Sequence, residues 1–179
     1  PETGADLPSG AEGIIRVKGP QVMVGYLDQP EATARVIHDG WYDTGDLGRM
    51  DEDGFLTISG RLARFSKLGG EMVSHEQVEA SVRDAAGVDD RSVVVTAIPD
   101  RRKGERLIVL YTELGGKSPD EIVRALIARD LPKLWIPTAD DFLPIEAIPL
   151  LGNGKLDVAH LRELALDRLA ARDTDSGRS

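Results

Sequence analysis

Cysteine is absent from the 179 residues, which excludes disulfides, thiolate metal sites and thiol nucleophiles together. Its absence fits a reducing cytoplasm. Histidine is scarce: His38, His75 and His160 are scattered, with no metal-ligand spacing among them. Aromatic residues make up only 4% of the chain. No apolar run approaches the roughly 20 residues that a membrane-spanning helix needs, and no signal peptide opens the sequence. Net positive charge is lacking as well. At −9, the chain is unsuited to nonspecific nucleic-acid binding, which depends on neutralising phosphates.

What is present is ordinary globular material. Hydrophobic residues at 41% and charged residues at 30% suffice for a packed core. Against the acidic background stand two basic clusters, Arg61/Arg64/Lys67 and Arg101/Arg102/Lys103/Arg106. Either reads equally as a solvated face. The chain opens at Pro1 inside a Gly/Pro-rich stretch, the pattern expected of a piece of a longer protein.

Local patterns divide the chain near Gly60. Before it lie short strands and turns: Gly13–Gly19 and Phe55–Ser59 read as strands, with Asp28–Ile37 a short helix between them. After it, Ser74-His75-Glu76-Gln77 is a capping box that opens a helix ended by Gly87. Ser92–Ile98 and Arg106–Thr112 are β-branched strands joined by the charged loop Asp100–Glu105. Ser118-Pro119-Asp120-Glu121 starts another capped helix. A strand follows near Asp141–Pro144, then a helix over Val158–Leu169 and a polar tail expected to be disordered. This order predicts an α+β fold: a β-rich segment, then a small domain built on a short mixed sheet with flanking helices.

Three segments carry candidate chemistry. They are Trp41-Tyr42-Asp43-Thr44-Gly45-Asp46-Leu47, the run Gly60–Glu71 continuing to Glu79, and Pro149–Leu156 with Asn153-Gly154-Lys155 at its centre. Singly, each has a plain structural reading: Thr-Gly-Asp as a turn, Arg61 as a surface residue, Asn153-Gly154 as a type I′ turn. In this order, and preceded by Gly25-Tyr26-Leu27 and Pro30-Glu31-Ala32-Thr33, they resemble signature blocks of the acyl-adenylate-forming (AMP-binding) superfamily over roughly residues 10–165.

That resemblance implies a role for each residue. Asp46 would hold the adenosine ribose hydroxyls, with Thr44 and Arg61 beside the nucleotide. Lys155 would be the catalytic lysine that stabilises charge building at the α-phosphate. Residues 1–61 would end a large nucleotide-binding domain, 62–171 would form a mobile lid, and 172–179 would be a disordered tail. Leu62 and Ala63 would be the hinge, although Ala63 stands where Asp or Lys is usual. Lys67, Gly69 and Gly70 would form the loop at the thiol tunnel. ATP and Mg²⁺ are implied, the metal ligands lying outside this segment, so that the segment alone is expected not to form acyl-adenylate.

The run Gly60–Ser74, together with Lys103–Leu107 and Leu131–Pro137, looks most like bacterial acyl-[acyl-carrier-protein] synthetases fused to a 2-acylglycerophosphoethanolamine acyltransferase. This implies a fatty acid substrate, acyl carrier protein as partner, and a cytoplasmic location, at the inner membrane face if fused domains place it there. Arg64, Arg101, Arg102 and Lys103 are then candidates for docking the acidic carrier. The alternatives are a fatty acyl-CoA synthetase with CoA as acceptor, and, in another class, a non-catalytic partner-binding domain.

Overall fold

The computed structural model describes residues 5–129 and 131–176, with side chains described as far as residue 172. The chain divides into two compact units with the boundary between Ala63 and Arg64.

The first unit is a small antiparallel sheet. Its strands are β1 (Glu12–Val17), β2 (Ile37–His38), β3 (Trp41–Met50) and β4 (Leu56–Arg61), with the α-helix α1 (Pro30–Val36) between β1 and β2. The central strand β3 pairs with all three others. Thr-Gly-Asp, read above as a turn, lies inside β3, at a bulge where the pairing shifts between Ile14 and Arg16. Two side-chain bonds stand in for the interrupted ladder. Thr44 Oγ1 donates to the Ile15 carbonyl at 2.8 Å and accepts from Asp46 N–H at 3.0 Å. Trp41 lies beneath two cations, the guanidinium of Arg16 and the ammonium of Lys18, each within 6 Å of its ring.

The second unit holds the described core. Its elements are β5 (Phe65–Leu68), β6 (Glu71–Ser74), α2 (His75–Ala86), β7 (Val93–Asp100), β8 (Gly104–Tyr111), α3 (Pro119–Ala128), β9 (Phe142–Pro144) and α4 (Val158–Ser176). β7 and β8 are antiparallel, and β9 joins β8 in parallel, giving the mixed sheet that the sequence order predicts. Alternation along the strands splits the apolar residues between the two faces. Val93, Val95, Leu107 and Val109 pack with Val78 and Val82 of α2 and with Ile122 and Leu126 of α3. Val94, Ile98, Ile108 and Leu110 pack with Leu161 and Ala165 of α4.

The caps hold the helices in place. Ser74 Oγ accepts from Gln77 N–H at the start of α2, and Gly87 ends that helix in the left-handed region. At α3 the Ser118–Glu121 box is closed from both sides. The last helix runs beyond Leu169 to Ser176, tied back at Arg172, which donates twice to Asp140 at 2.8 Å. Of the segment 172–179 expected to be a disordered tail, residues 172–176 belong to this helix, and residues 177–179 lie outside the described residues. Among the described residues no helix is long and apolar enough to cross a membrane.

Candidate functional site

In the first unit, β3 and β4 place Asp46 directly opposite Arg61, and the side chains meet with Arg61 Nε 3.0 Å from Asp46 Oδ1. The carboxylate is largely covered, at 21% exposure, while the guanidinium is 66% exposed. One carboxylate oxygen and one nitrogen make this pair. The exposed fork of Arg61 suits a phosphate or hydroxyl partner. Thr44 braces the backbone beneath Asp46, so it acts on the carboxylate through the bulge. Tyr26 and Tyr42 come from two separate sequence blocks. The neighbouring Tyr26 hydroxyl, more than burial, raises the Tyr42 hydroxyl above its ordinary pKa.

In the second unit the candidates separate to the two faces of the sheet. β5 and β6 form a hairpin closed by Leu68 opposite Glu71, with Gly69 and Gly70 as its two-residue loop. Both have positive φ, 58° and 96°, the requirement of a type I′ turn. The β7–β8 turn lies against this loop. Gly69 N–H donates to the Lys103 carbonyl at 3.0 Å, and Lys67 N–H donates to Glu105 Oε2 at 2.9 Å. Asp100 Oδ1 accepts from the amides of Arg102 and Lys103, each at 2.9 Å, which fixes the turn and leaves Arg101, Arg102 and Lys103 exposed. Sequence spacing gave no sign that the glycine loop and the basic turn meet.

Arg64 is not available for docking. Only 7% exposed, it forms an ion pair with Glu79 and donates through Nη1 to the Val95 carbonyl at 2.9 Å. The expectation of a surface cation fails because the residue after the boundary turns inward. Beside it, Ser66 Oγ and His75 Nε2 are 2.6 Å apart, and His75 Nδ1 is buried without a hydrogen-bond partner. Burial, reinforced by the Arg64 charge, pushes the His75 pKa down to about 3. Burial pushes Glu79 up, against the opposing pull of Arg64 and the Val95 N–H. Sequence reasoning missed this cluster. One signal was present: Glu79 stands at core spacing among Val78, Val82 and Ala86 of α2.

Lys155 is exposed on a hairpin closed by the Leu150–Leu156 bridge. Gly154 N–H donates to the Leu151 carbonyl at 2.8 Å, and Leu151 N–H donates to the Lys155 carbonyl at 2.7 Å. Within the loop only Gly154 has positive φ, 78°. The turn is thus a three-residue loop ending in a glycine bulge, not type I′, which needs positive φ at both central residues. Asn153 Oδ1 accepts from Lys155 N–H at 3.0 Å and stiffens the loop. Ile148 and Leu156 anchor it to the α4 face of the sheet, whereas Leu68 and Val73 anchor the glycine hairpin to the α2 face. Among the described residues no cluster of His, Asp or Glu could hold a metal ion.

This fold, a mixed three-stranded sheet with a lysine loop on one face and a glycine hairpin on the other, is that of the C-terminal domain of adenylate-forming enzymes. Acyl-CoA ligases of the AMP-binding superfamily are homologous to the chain over most of its length. Among them is the medium-chain fatty-acid–CoA ligase of Escherichia coli, 36% identical over 167 residues, which cover 91% of this chain and 29% of that protein. ATP-bound MatB from Rhodopseudomonas palustris superposes with a TM-score of 0.71 at 30% identity, covering 92% of this chain and 32% of that one. The Bacillus subtilis o-succinylbenzoate CoA synthetase, solved with its acyl-adenylate intermediate, gives 0.70 at 27% identity, covering 87% and 31%. The chain thus spans about 30% of the length of the relatives it matches. No family model matches it.

Proposed function

We propose that this chain is the C-terminal part of an ATP-dependent acid–thiol ligase that makes an acyl-adenylate and passes the acyl group to CoA. The carrying observation is the in-register meeting of Asp46 and Arg61, two residues 15 apart in sequence, at 3.0 Å. A covered carboxylate beside an exposed guanidinium suits a ribose next to a phosphate. In the first half-reaction a substrate carboxylate oxygen bonds to the α-phosphorus and pyrophosphate leaves. Lys155, on its stiffened exposed loop, supplies positive charge to that step. In the second, the thiol sulfur attacks the acyl carbon and AMP leaves, with the Lys67–Gly70 hairpin presented to the thiol. Placing these elements on opposite sheet faces supports two presentations of one lid, pivoting at Leu62 and Ala63.

CoA is preferred over acyl carrier protein as acceptor because the similar ligases name CoA. The carrier-protein reading retains one feature, the exposed Arg101–Lys103 turn beside the glycine hairpin. A fatty acid remains the substrate class, following the Escherichia coli relative. In the full-length protein, Lys155→Ala should lower ATP–pyrophosphate exchange by about 100-fold or more. Unchanged exchange would remove Lys155 from the mechanism. Supplying CoA and holo carrier protein to the same enzyme decides the acceptor, with thioester formed on CoA expected.

A further inference from the structure

The buried pair Arg64–Glu79 does more than fill space. β7 is an edge strand of the β7–β8–β9 sheet, so one side of it faces no partner strand. At Val95 that open side is closed by side chains. Glu79 Oε1 accepts from Val95 N–H at 2.6 Å, and Arg64 Nη1 donates to the Val95 carbonyl at 2.9 Å. The ion pair thus acts as a one-residue substitute for a neighbouring strand, satisfying both backbone groups. A buried ion pair is a poor source of stability compared with apolar packing, and its attested use is to fix one geometry among alternatives.

The geometry fixed here concerns the glycine hairpin. Arg64 is the first residue after the unit boundary and leads directly into β5, which carries Lys67 and ends at the Gly69–Gly70 turn. Ser66, on the same strand, is held in turn by His75 at 2.6 Å. Through these contacts the strand is fastened to α2 and to the sheet edge before it reaches the turn. We infer that Arg64 is a positioning residue: by clamping the start of β5 onto Glu79 and Val95, it sets the placement of the Lys67–Gly70 turn for acyl transfer to the thiol. The inference rests on the reading that this turn serves the second half-reaction. It also gives an economical reason for an inward-facing arginine beside the pivot, since motion is then confined to residues before it.

The test uses Arg64→Lys and Arg64→Met in the full-length protein. Lysine keeps the charge beside Glu79 but lacks a fork that reaches Glu79 and the Val95 carbonyl together. Acyl transfer from preformed adenylate to CoA should fall at least tenfold in Arg64→Met and less in Arg64→Lys, while ATP–pyrophosphate exchange stays within about twofold. Equal losses in both half-reactions, or unchanged transfer in a folded variant, overturn the inference. Amide hydrogen exchange on the 179-residue chain provides a readout independent of activity. Arg64→Lys should speed exchange at least tenfold at the Val95 amide and in β5, with α4 unaffected. A uniform change, or none, refutes the clamp even if the chain proves to have a different reaction. If the unsubstituted enzyme shows no pyrophosphate exchange, the ligase reading fails and the clamp is judged on hydrogen exchange alone.

Discussion

His75 begins α2 with its ring inside the core, 4% exposed, and only one of its two nitrogens is engaged. A neutral imidazole tolerates that setting; an imidazolium beside Arg64 does not, hence the pKa near 3. In the unfolded chain the ring titrates near 6.5. Between those values the unfolded state binds the extra proton, so stability contributed by neutral His75 is present above about pH 6.5 and is lost as pH falls. Over two pH units below 6.5 the linkage amounts to at most about 3 kcal/mol. Glu79, raised by burial, acts in the opposite sense, since the unfolded carboxyl gives up its proton before the buried one as pH rises. Asp89, Asp100 and Glu121 are lowered by hydrogen bonds from neighbouring amides, so their stabilisation is present at neutral pH and is lost as pH falls below the ordinary carboxylate range. Urea midpoints at pH 7 and 4.5 should therefore drop in the natural chain and drop less in His75→Gln, whose amide can still bond Ser66. Parallel pH slopes would show that His75 is not the sensor. The sequence offered little warning here. In the sequence His75 is one of three scattered histidines, and charge patterning places Arg64 among surface cations because it does not reveal where a backbone turns inward.

At the scale of elements, periodicity was a good guide to helices and long strands and a poor one to hairpins. α2, α3, β7 and β8 follow from capping residues and β-branched runs, and their apolar alternation also dictates which side each helix covers. β3 was not legible, because Thr44-Gly45-Asp46 has turn composition, and a bulge held by the Thr44 hydroxyl lets it remain in a strand. The Lys155 hairpin was legible as a turn but not as the right type. That difference separates its two glycines. Gly154 occupies the left-handed region, whereas Gly152 has ordinary backbone, and neither would meet another atom if a Cβ were added. A side chain at Gly154 incurs the left-handed penalty of about 1–2 kcal/mol, while one at Gly152 incurs none. ATP–pyrophosphate exchange in the full-length protein should fall about five- to thirty-fold in Gly154→Val and remain near its normal rate in Gly152→Ala. Equal responses would mean that general loop mobility, not one backbone geometry, presents the lysine.

On the scale of the whole chain, burial is unevenly divided. Among the described residues both hydrophobic clusters lie wholly in the second unit, and Leu47 is the single buried hydrophobic of the first. The first unit instead exposes large apolar side chains, Val24, Leu27, Phe55 and Ile58 among them, and opens a cleft of about 580 Å³ lined by Leu7, Ile14, Trp41 and Leu56. A sheet with one face uncovered gains little from the hydrophobic effect, while the second unit fully buries Ile108, Leu110, Ile122, Leu126 and Leu161. The stability of the chain should therefore reside in residues 64–179. A protein beginning at Arg64 should show a cooperative thermal transition within about 3 °C of the 179-residue chain. In the longer chain, limited proteolysis should cut first on the N-terminal side of the boundary. Ile108→Ala, which opens a cavity on the α4 face, should lower the stability of both proteins by the same amount, about 2–5 kcal/mol. A truncated protein without a cooperative transition, or an Ile108→Ala cost that differs between the two, would mean that the first unit supports the second.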